Sequence, residues 1–156
     1  MVKLQERLFI GGETSCRAGG GDLAVVHACK SPCHQSAVGY RGSLPSHHPH
    51  YLVLRRGFDL FLNMIDPPQP LFKLPVFTEF LSFSRQHWDE GRSLLIHCNQ
   101  GESRAPSLAL IFLVKHLKVL PDASFGAASR AFTILYPGYR PGAGIRRFLE
   151  ENWPLL

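Results

Sequence analysis

The stretch Ser93-Leu94-Leu95-Ile96-His97-Cys98-Asn99-Gln100-Gly101-Glu102-Ser103-Arg104-Ala105-Pro106 decides the fold. Ser93 to His97 reads as a buried strand. Pro106 to Lys118 is apolar on nearly every face, which predicts a helix covered on all sides. Between them runs a loop with Cys98 at its start, Gly101 in its middle and Arg104 near its end. A loop that joins a strand to a helix can turn successive backbone N–H groups inward as an anion-binding nest, to which the helix N-terminus adds the positive end of its dipole. Gly101 allows the backbone angles such a nest needs. Pro106 suits a first helical turn, where its missing N–H costs nothing. Arg104 adds a planar guanidinium that grips two phosphate oxygens at once. The same donors are expected to lower the pKa of Cys98 and hold it as a thiolate.

Outward from this unit, Leu8 to Ile10 and Leu23 to His27 read as strands, and so does Leu60 to Ile65, which Asp66-Pro67-Pro68 terminates. Tyr51 to Leu54 fits a short strand or a short helix. Pro75 opens a helix to about Trp88, with Val76, Phe77, Phe80 and Leu81 on one apolar face. Asp122 to Leu135, capped by Asp122, and Gly144 to Trp153 complete the helices. The stretch from Lys30 to His50, rich in Pro, Gly and His, reads as a long loop or flap. Strands alternating with helices predict an α/β single domain, residues 1–156, with a mostly parallel central sheet flanked by helices.

The 156 residues suffice for one domain with a real core. With 45% apolar and 19% charged residues the composition is that of a soluble globular protein, and no apolar run reaches membrane-spanning length. Met1 to Arg7 lacks the apolar segment of a signal peptide, so a cytoplasmic location is expected, with the four cysteines as free thiols. A net charge of +5 favours anionic partners. The short pairs Arg55-Arg56 and Arg146-Arg147 are too sparse for a nucleic-acid surface, so neither a nucleic acid nor a membrane is expected as a partner.

A phosphate monoester placed in the nest turns its phosphorus toward the Cys98 sulfur. Attack would give a phosphocysteine, and the leaving oxygen would need a proton. Asp66, at the end of its strand and in a proline-stiffened loop, meets that requirement as general acid and later as base on water. His97 is expected to orient Cys98 without transferring protons.

Ile96-His97-Cys98 to Arg104, followed by a helix, resembles the His-Cys-x5-Arg signature of the cysteine-dependent protein tyrosine phosphatase superfamily. The short chain, the aspartate before Cys98, and Arg140-Pro141 followed by Gly144-Ile145-Arg146-Arg147-Phe148-Leu149 are similar to its small dual-specificity branch. The likeness runs from about Leu60 to Trp153. It implies a tyrosine-phosphatase-like fold, with Cys98 as nucleophile, Arg104 as phosphate clamp and Asp66 as general acid. The backbone of Asn99, Gln100, Gly101, Glu102 and Ser103 would form the cradle, and no cofactor or metal is implied. The substrate would be a phosphorylated protein or a small phosphate ester, phosphotyrosine first and phosphoserine or phosphothreonine if the pocket is shallow.

Two positions depart from the pattern. Ala105 stands where the family usually has a Ser or Thr that helps the thiolate leave, so dephosphorylation of the intermediate is expected to be slow unless Ser103 substitutes. Glu102 puts an acid in the cradle, which disfavours a highly charged lipid headgroup. Ala105 also keeps a rival reading open, a catalytically weak phosphate- or phosphopeptide-binding module. Sulfur or arsenate chemistry on a related loop explains Asp66 less well.

Cys29 and Cys33, flanked by His27 and His34, have a spacing too loose for a zinc site, and no second ligand pair follows downstream, so no metal is expected. Strand alternation directs His27 and Cys29 to one face and leaves Cys33 in the loop. The resemblance offers Cys29 another role, a backdoor cysteine that traps oxidised Cys98 as a disulfide; a buried inert thiol is the alternative. His47, His48 and His50 read as an exposed loop, with the lining of a substrate groove as the alternative. The Phe-rich run reads as core, with Phe72 in the acid loop placed to touch substrate.

Overall fold

The computed structural model describes residues 1–156 and centres on a six-stranded mixed sheet. The strands are β1 (Val2–Gln5), β2 (Leu8–Gly11), β3 (Leu23–His27), β4 (Val53–Arg56), β5 (Asp59–Leu62) and β6 (Ser93–His97), in the order β1-β2-β6-β3-β5-β4. The four inner strands run parallel, and β1 and β4 are antiparallel edges. The mostly parallel sheet expected from the sequence is therefore present. The inner strands are near-continuous apolar runs because both faces of a parallel sheet are covered.

Side chains alternate across these strands. Ala24, Val26, Leu60, Leu62, Leu94 and Ile96 enter the main core. There they meet α2 (Leu74–Asp89) and α3 (Arg104–Lys115), which pack beside each other on that face. α4 (Phe125–Leu135) packs on α3, and α5 (Ala143–Asn152) on α4. Every residue of α3 from Ala105 to Val114 is buried, as the apolar run predicts. Truncating such a side chain, Phe112→Ala for example, costs about 3–5 kcal/mol. Phe77, Phe80 and Phe83 are also fully buried core. The opposite residues, among them His27, Phe61 and His97, face a smaller layer made by a short 3-10 helix (Glu13–Arg17), a wide helical turn (Lys30–His34) and the four-residue α1 (Gln35–Val38). No helix is long and apolar enough to cross a membrane.

Four expectations need correction. Leu8–Gly11 is the second strand. The N-terminal residues form β1, an exposed edge on which only Leu4 is buried, and this left no apolar pattern to read. β5 ends at Leu62, before the prolines; Asn63 leaves the ladder and bonds Tyr51 and Leu52 through its side chain and backbone. α4 is capped by Ser124, whose side chain accepts from Ala127 N–H at 3.1 Å, while Asp122 instead pairs with Lys115. The Lys30–His50 stretch is not an open flap. Its His34 is fully buried and ties the segment together, with Nδ1 2.6 Å from Tyr40 Oη and Nε2 2.9 Å from the His50 carbonyl.

Candidate active site

Cys98 follows directly on β6, the strand held between β2 and β3. Its N–H reaches Gly11 O at 3.3 Å, which extends the β2–β6 pairing by one residue, and the residue is 2% exposed. The loop then folds back over Gly11 and Gly12. Gly101 sits at φ +73°, and a Cβ there would lie 3.2 Å from Gly11 O. Both the backbone angle and the close approach therefore demand glycine. Gly101 N–H donates to Cys98 Sγ at 3.2 Å.

Three carbonyls of this loop are taken from outside it. Asn99 O accepts from Glu13 N–H at 2.9 Å, Gly101 O from Tyr136 Oη at 2.8 Å, and Glu102 O from Arg140 N–H at 2.7 Å. Ser103 O begins the α3 ladder by accepting from Ser107 N–H. A backbone whose carbonyls are held outward turns its N–H groups the other way. The N–H groups of Asn99, Gln100, Glu102, Ser103 and Arg104 have no acceptor within the protein. Together with the start of α3 they form an anion nest.

Arg104 opens α3 and is held by the ends of two strands. Its Nη1 donates to Ala28 O at 3.1 Å and Met64 O at 2.9 Å, and its Nη2 to Asn99 Oδ1 at 2.8 Å. Asn99 in turn donates to Ser31 O at 3.0 Å. The guanidinium Nε is buried with no acceptor. A buried donor left unmatched costs about 1–3 kcal/mol, and an anion in the nest would recover it. The sequence assigns only the backbone of Asn99 to the cradle; its side chain also links Arg104 to the Ser31 carbonyl.

Asp66 is exposed and lies four residues past the end of β5. Its carboxylate rests against Gly142, the N-cap of α5: a Cβ there would come within 3.1 Å of Asp66 Cγ and closer still to Oδ1. Gly142 N–H donates to Ser103 Oγ at 2.9 Å. The acid loop and the nest thus meet at a single residue. Gly144 completes the docking, since a Cβ there would collide with the Pro67 and Gln69 carbonyls. Gly142 and Gly144 matter for close approach, a property that only contacts between distant segments reveal. Phe72 packs on Phe77 and Phe148 at 6.0 Å and lines a cleft of about 280 Å³ with Lys30, Tyr51, Met64 and Lys73. Glu102 is exposed at the rim of the loop.

Ala105 is fully buried. Ser107 is occupied elsewhere, its Oγ 2.9 Å from Tyr139 Oη. Ser103 Oγ accepts from Gly142 and keeps its own O–H free to donate. The Tyr136 phenol, which braces Gly101 O, is pushed up in pKa first by burial and then by the negative charges of Cys98 and Glu102.

Behind the loop, His97 Nδ1 lies 3.4 Å from Cys98 O and its Nε2 2.7 Å from His27 Nδ1. His27 Nε2 is 2.9 Å from Asp59 Oδ1. Burial, then the neighbouring His27, pushes His97 down to about 4, so it is neutral at pH 7. His97 is thus held between the Cys98 carbonyl and His27. Cys29 stands with Cys16 and Cys33; a hydrogen bond from the Cys33 thiol, opposed by burial, leaves it at about 7. The Cys33 thiol is raised correspondingly.

No protein-family model and no curated protein sequence matches the chain. Solved structures do. Human DUSP28 superposes with a TM-score of 0.64 at 17% identity, over 99% of this chain and 96% of that one. The fold is that of the dual-specificity phosphatases. The human tyrosine phosphatase-like serine/threonine/tyrosine-interacting protein matches with a TM-score of 0.66 at 16% identity, over 98% of this chain and 95% of its own. A mouse putative dual specificity phosphatase matches with a TM-score of 0.59 at 20% identity, over 99% and 86% of the two chains. At such identities the likeness is one of dual-specificity-phosphatase fold, and the chemistry rests on the site itself.

Proposed function

We propose that the chain is a cysteine-dependent protein phosphatase that hydrolyses phosphotyrosine, and phosphoserine or phosphothreonine where the cleft admits them. The observation that carries this reading is the buried, unmatched Arg104 Nε beside a loop whose N–H groups also lack acceptors, with Cys98 at its base. Three phosphate oxygens in the nest would satisfy these donors and turn phosphorus toward Sγ.

The Cys98 thiolate attacks phosphorus, the S–P bond forms and the P–O bond to the leaving group breaks. Asp66 gives its proton to the departing oxygen. Water then attacks the phosphocysteine, Asp66 takes a proton from it, and the S–P bond breaks to return the thiolate and free phosphate. Transition-state charge builds on oxygens already facing fixed donors, which need no reorganisation. The fold of the structural neighbours supports this assignment.

The test is turnover of an aryl phosphate and a phosphotyrosine peptide, with rapid-quench mass spectrometry of the peptide carrying Cys98. A phosphate adduct on Cys98, and loss of turnover in Cys98→Ser, are expected. Turnover that survives Cys98→Ser would overturn the mechanism. Ala105 favours a second reading, a module that binds phosphopeptides and turns them over weakly. Tight phosphopeptide binding with no adduct on Cys98 would select it.

A further inference from the structure

The most unusual cluster outside this site lies on the other face of the sheet. Cys16, Cys29, Cys33 and His97 bring three sulfurs and one imidazole nitrogen within 4.8 Å of one another. We propose that these four residues bind a zinc ion in a closed, four-coordinate structural site beneath the candidate active loop.

Sheet topology makes the convergence. β2, β6 and β3 are neighbours, and Gly11, His97 and His27 lie in register across them. The 3-10 helix that follows β2 carries Cys16, β6 ends in His97, and the segment after β3 carries Cys29. The helical turn from Lys30 to His34 then reverses the chain, with His34 N–H on Cys29 O at 3.1 Å, and returns Cys33 beside Cys29. Cys33 was expected to lie away in the loop, and this turn corrects that expectation. The sequence spacing gave no zinc pattern because the remaining two ligands, Cys16 on the 3-10 helix after β2 and His97 at the end of β6, are brought together only by the sheet's crossovers.

The donor set suits zinc, which takes thiolate and imidazole ligands in a tetrahedron. Bond lengths of about 2.3 Å to sulfur and about 2.0–2.1 Å to nitrogen give tetrahedral edges of roughly 3.5–3.8 Å. Cys33 Sγ lies 3.9 Å from His97 Nε2 and 3.0 Å from Cys16 Sγ. Closing the tetrahedron requires the Cys16–Cys33 pair to open by less than about 1 Å and the widest pairs, up to 4.8 Å, to draw in by about 1 Å. Cys16 is the one half-exposed ligand and sits on a short helix; Cys29, Cys33 and His97 are buried. A cleft bordered by Cys16, Arg17, Cys33 and Arg56 gives the ion access from solvent, and its two arginines offset the net negative charge of three thiolates around a dication.

The supporting contact is also in place. A ligating histidine donates its other ring N–H to a carbonyl or carboxylate. His97 Nδ1 faces Cys98 O, which leaves Nε2 for the metal. Ligation takes that nitrogen from His27, which keeps its bond to Asp59. A Cys16–Cys33 disulfide would use two of the four donors and leave the convergence of Cys29 and His97 unexplained.

The test is the metal content of the full chain purified under reductant and supplied with zinc, together with the absorption spectrum after cobalt(II) replacement. About one zinc per chain is expected, with near-ultraviolet sulfur-to-cobalt charge transfer and strong visible bands of tetrahedral cobalt. Cys33→Ser and Cys16→Ser should each cut bound zinc at least about tenfold, while Cys98→Ser retains it. Cys16, at the exposed edge, keeps the test decisive if Cys33→Ser fails to fold. Zinc below about a tenth of an equivalent in the wild type, cobalt spectra without charge transfer, or zinc lost in Cys98→Ser would overturn the proposal. It stands apart from the phosphatase reading, because Cys98→Ser removes turnover and leaves the zinc.

Discussion

Asp66 rests on Gly142, and no side chain fits between them. The same Gly142 N–H holds Ser103 of the nest, so one glycine sets the distance between the proposed acid and the loop it serves. Gly142→Ala is expected to push the carboxylate away. Hydrolysis of phosphotyrosine, whose leaving oxygen needs a proton, should fall at least about tenfold, and an aryl phosphate with a good leaving group should fall less. Rates across leaving groups of graded basicity check this. Equal losses for all of them would move the acid elsewhere.

Ser103 is the one hydroxyl of the loop with a proton left to donate, and Ala105 has none to offer. Ser103→Ala should leave the first, phosphorylating step intact and slow the second, seen as a burst approaching one product per site followed by a reduced steady rate. Ala105→Ser should raise the steady rate. Rapid-quench kinetics on both variants decides the matter, and an unchanged burst in Ser103→Ala would remove the hydroxyl from the mechanism.

Lys30 and Lys73 line the apolar cleft beside Met64, whose carbonyl holds Arg104. Phosphopeptides with acidic residues beside the phosphorylated one should therefore be preferred. Lys73→Glu should raise KM for them with little change in kcat, the pattern of a lost binding contact. The preference should shrink as salt rises, since exposed charges are screened. Peptides compared at two ionic strengths test it.

His87 is buried against Phe83 and Phe58. Burial, then Arg92 and Arg55, lower its pKa against the opposing pull of Glu90. In the unfolded chain it takes up a proton near pH 6.5, and in the folded chain only below that. Folding stability from this group is present above about pH 6.5 and declines as pH falls toward the folded value. Thermal melts from pH 7 to 5 should show the decline, and His87→Leu should flatten it. Other buried histidines act in the same direction and keep some slope.

Cys98 and Arg104 could be placed from the sequence because one directly follows a strand and the other opens a helix, and local pattern marks both; Gly101 lies in the loop between them, and Asp66 four residues past the end of β5. Ser93–His97 and the covered helix after it come from apolar runs, which report burial directly. The edge strand β1 has too little burial to leave a pattern. The anchoring of Lys30–His50 depends on His34 meeting Tyr40 and His50, a contact that spacing does not announce. Asn99, Tyr136 and Gly142 serve the loop by reaching across the fold. The sequence names the residue types at those positions and gives no sign of what they touch.

Three of the groups that brace the loop come late in the chain: Tyr136, Arg140 and Gly142 follow Cys98 by some forty residues, whereas Glu13, which holds Asn99 O, precedes it. During synthesis Cys98 therefore emerges well before its loop can be fully braced. A chain truncated after α4 would carry Cys98 and Arg104 without those supports. Under the proposed function, turnover would require the segment from Tyr136 to α5 to be docked, and measured turnover would double as an assay for that docking.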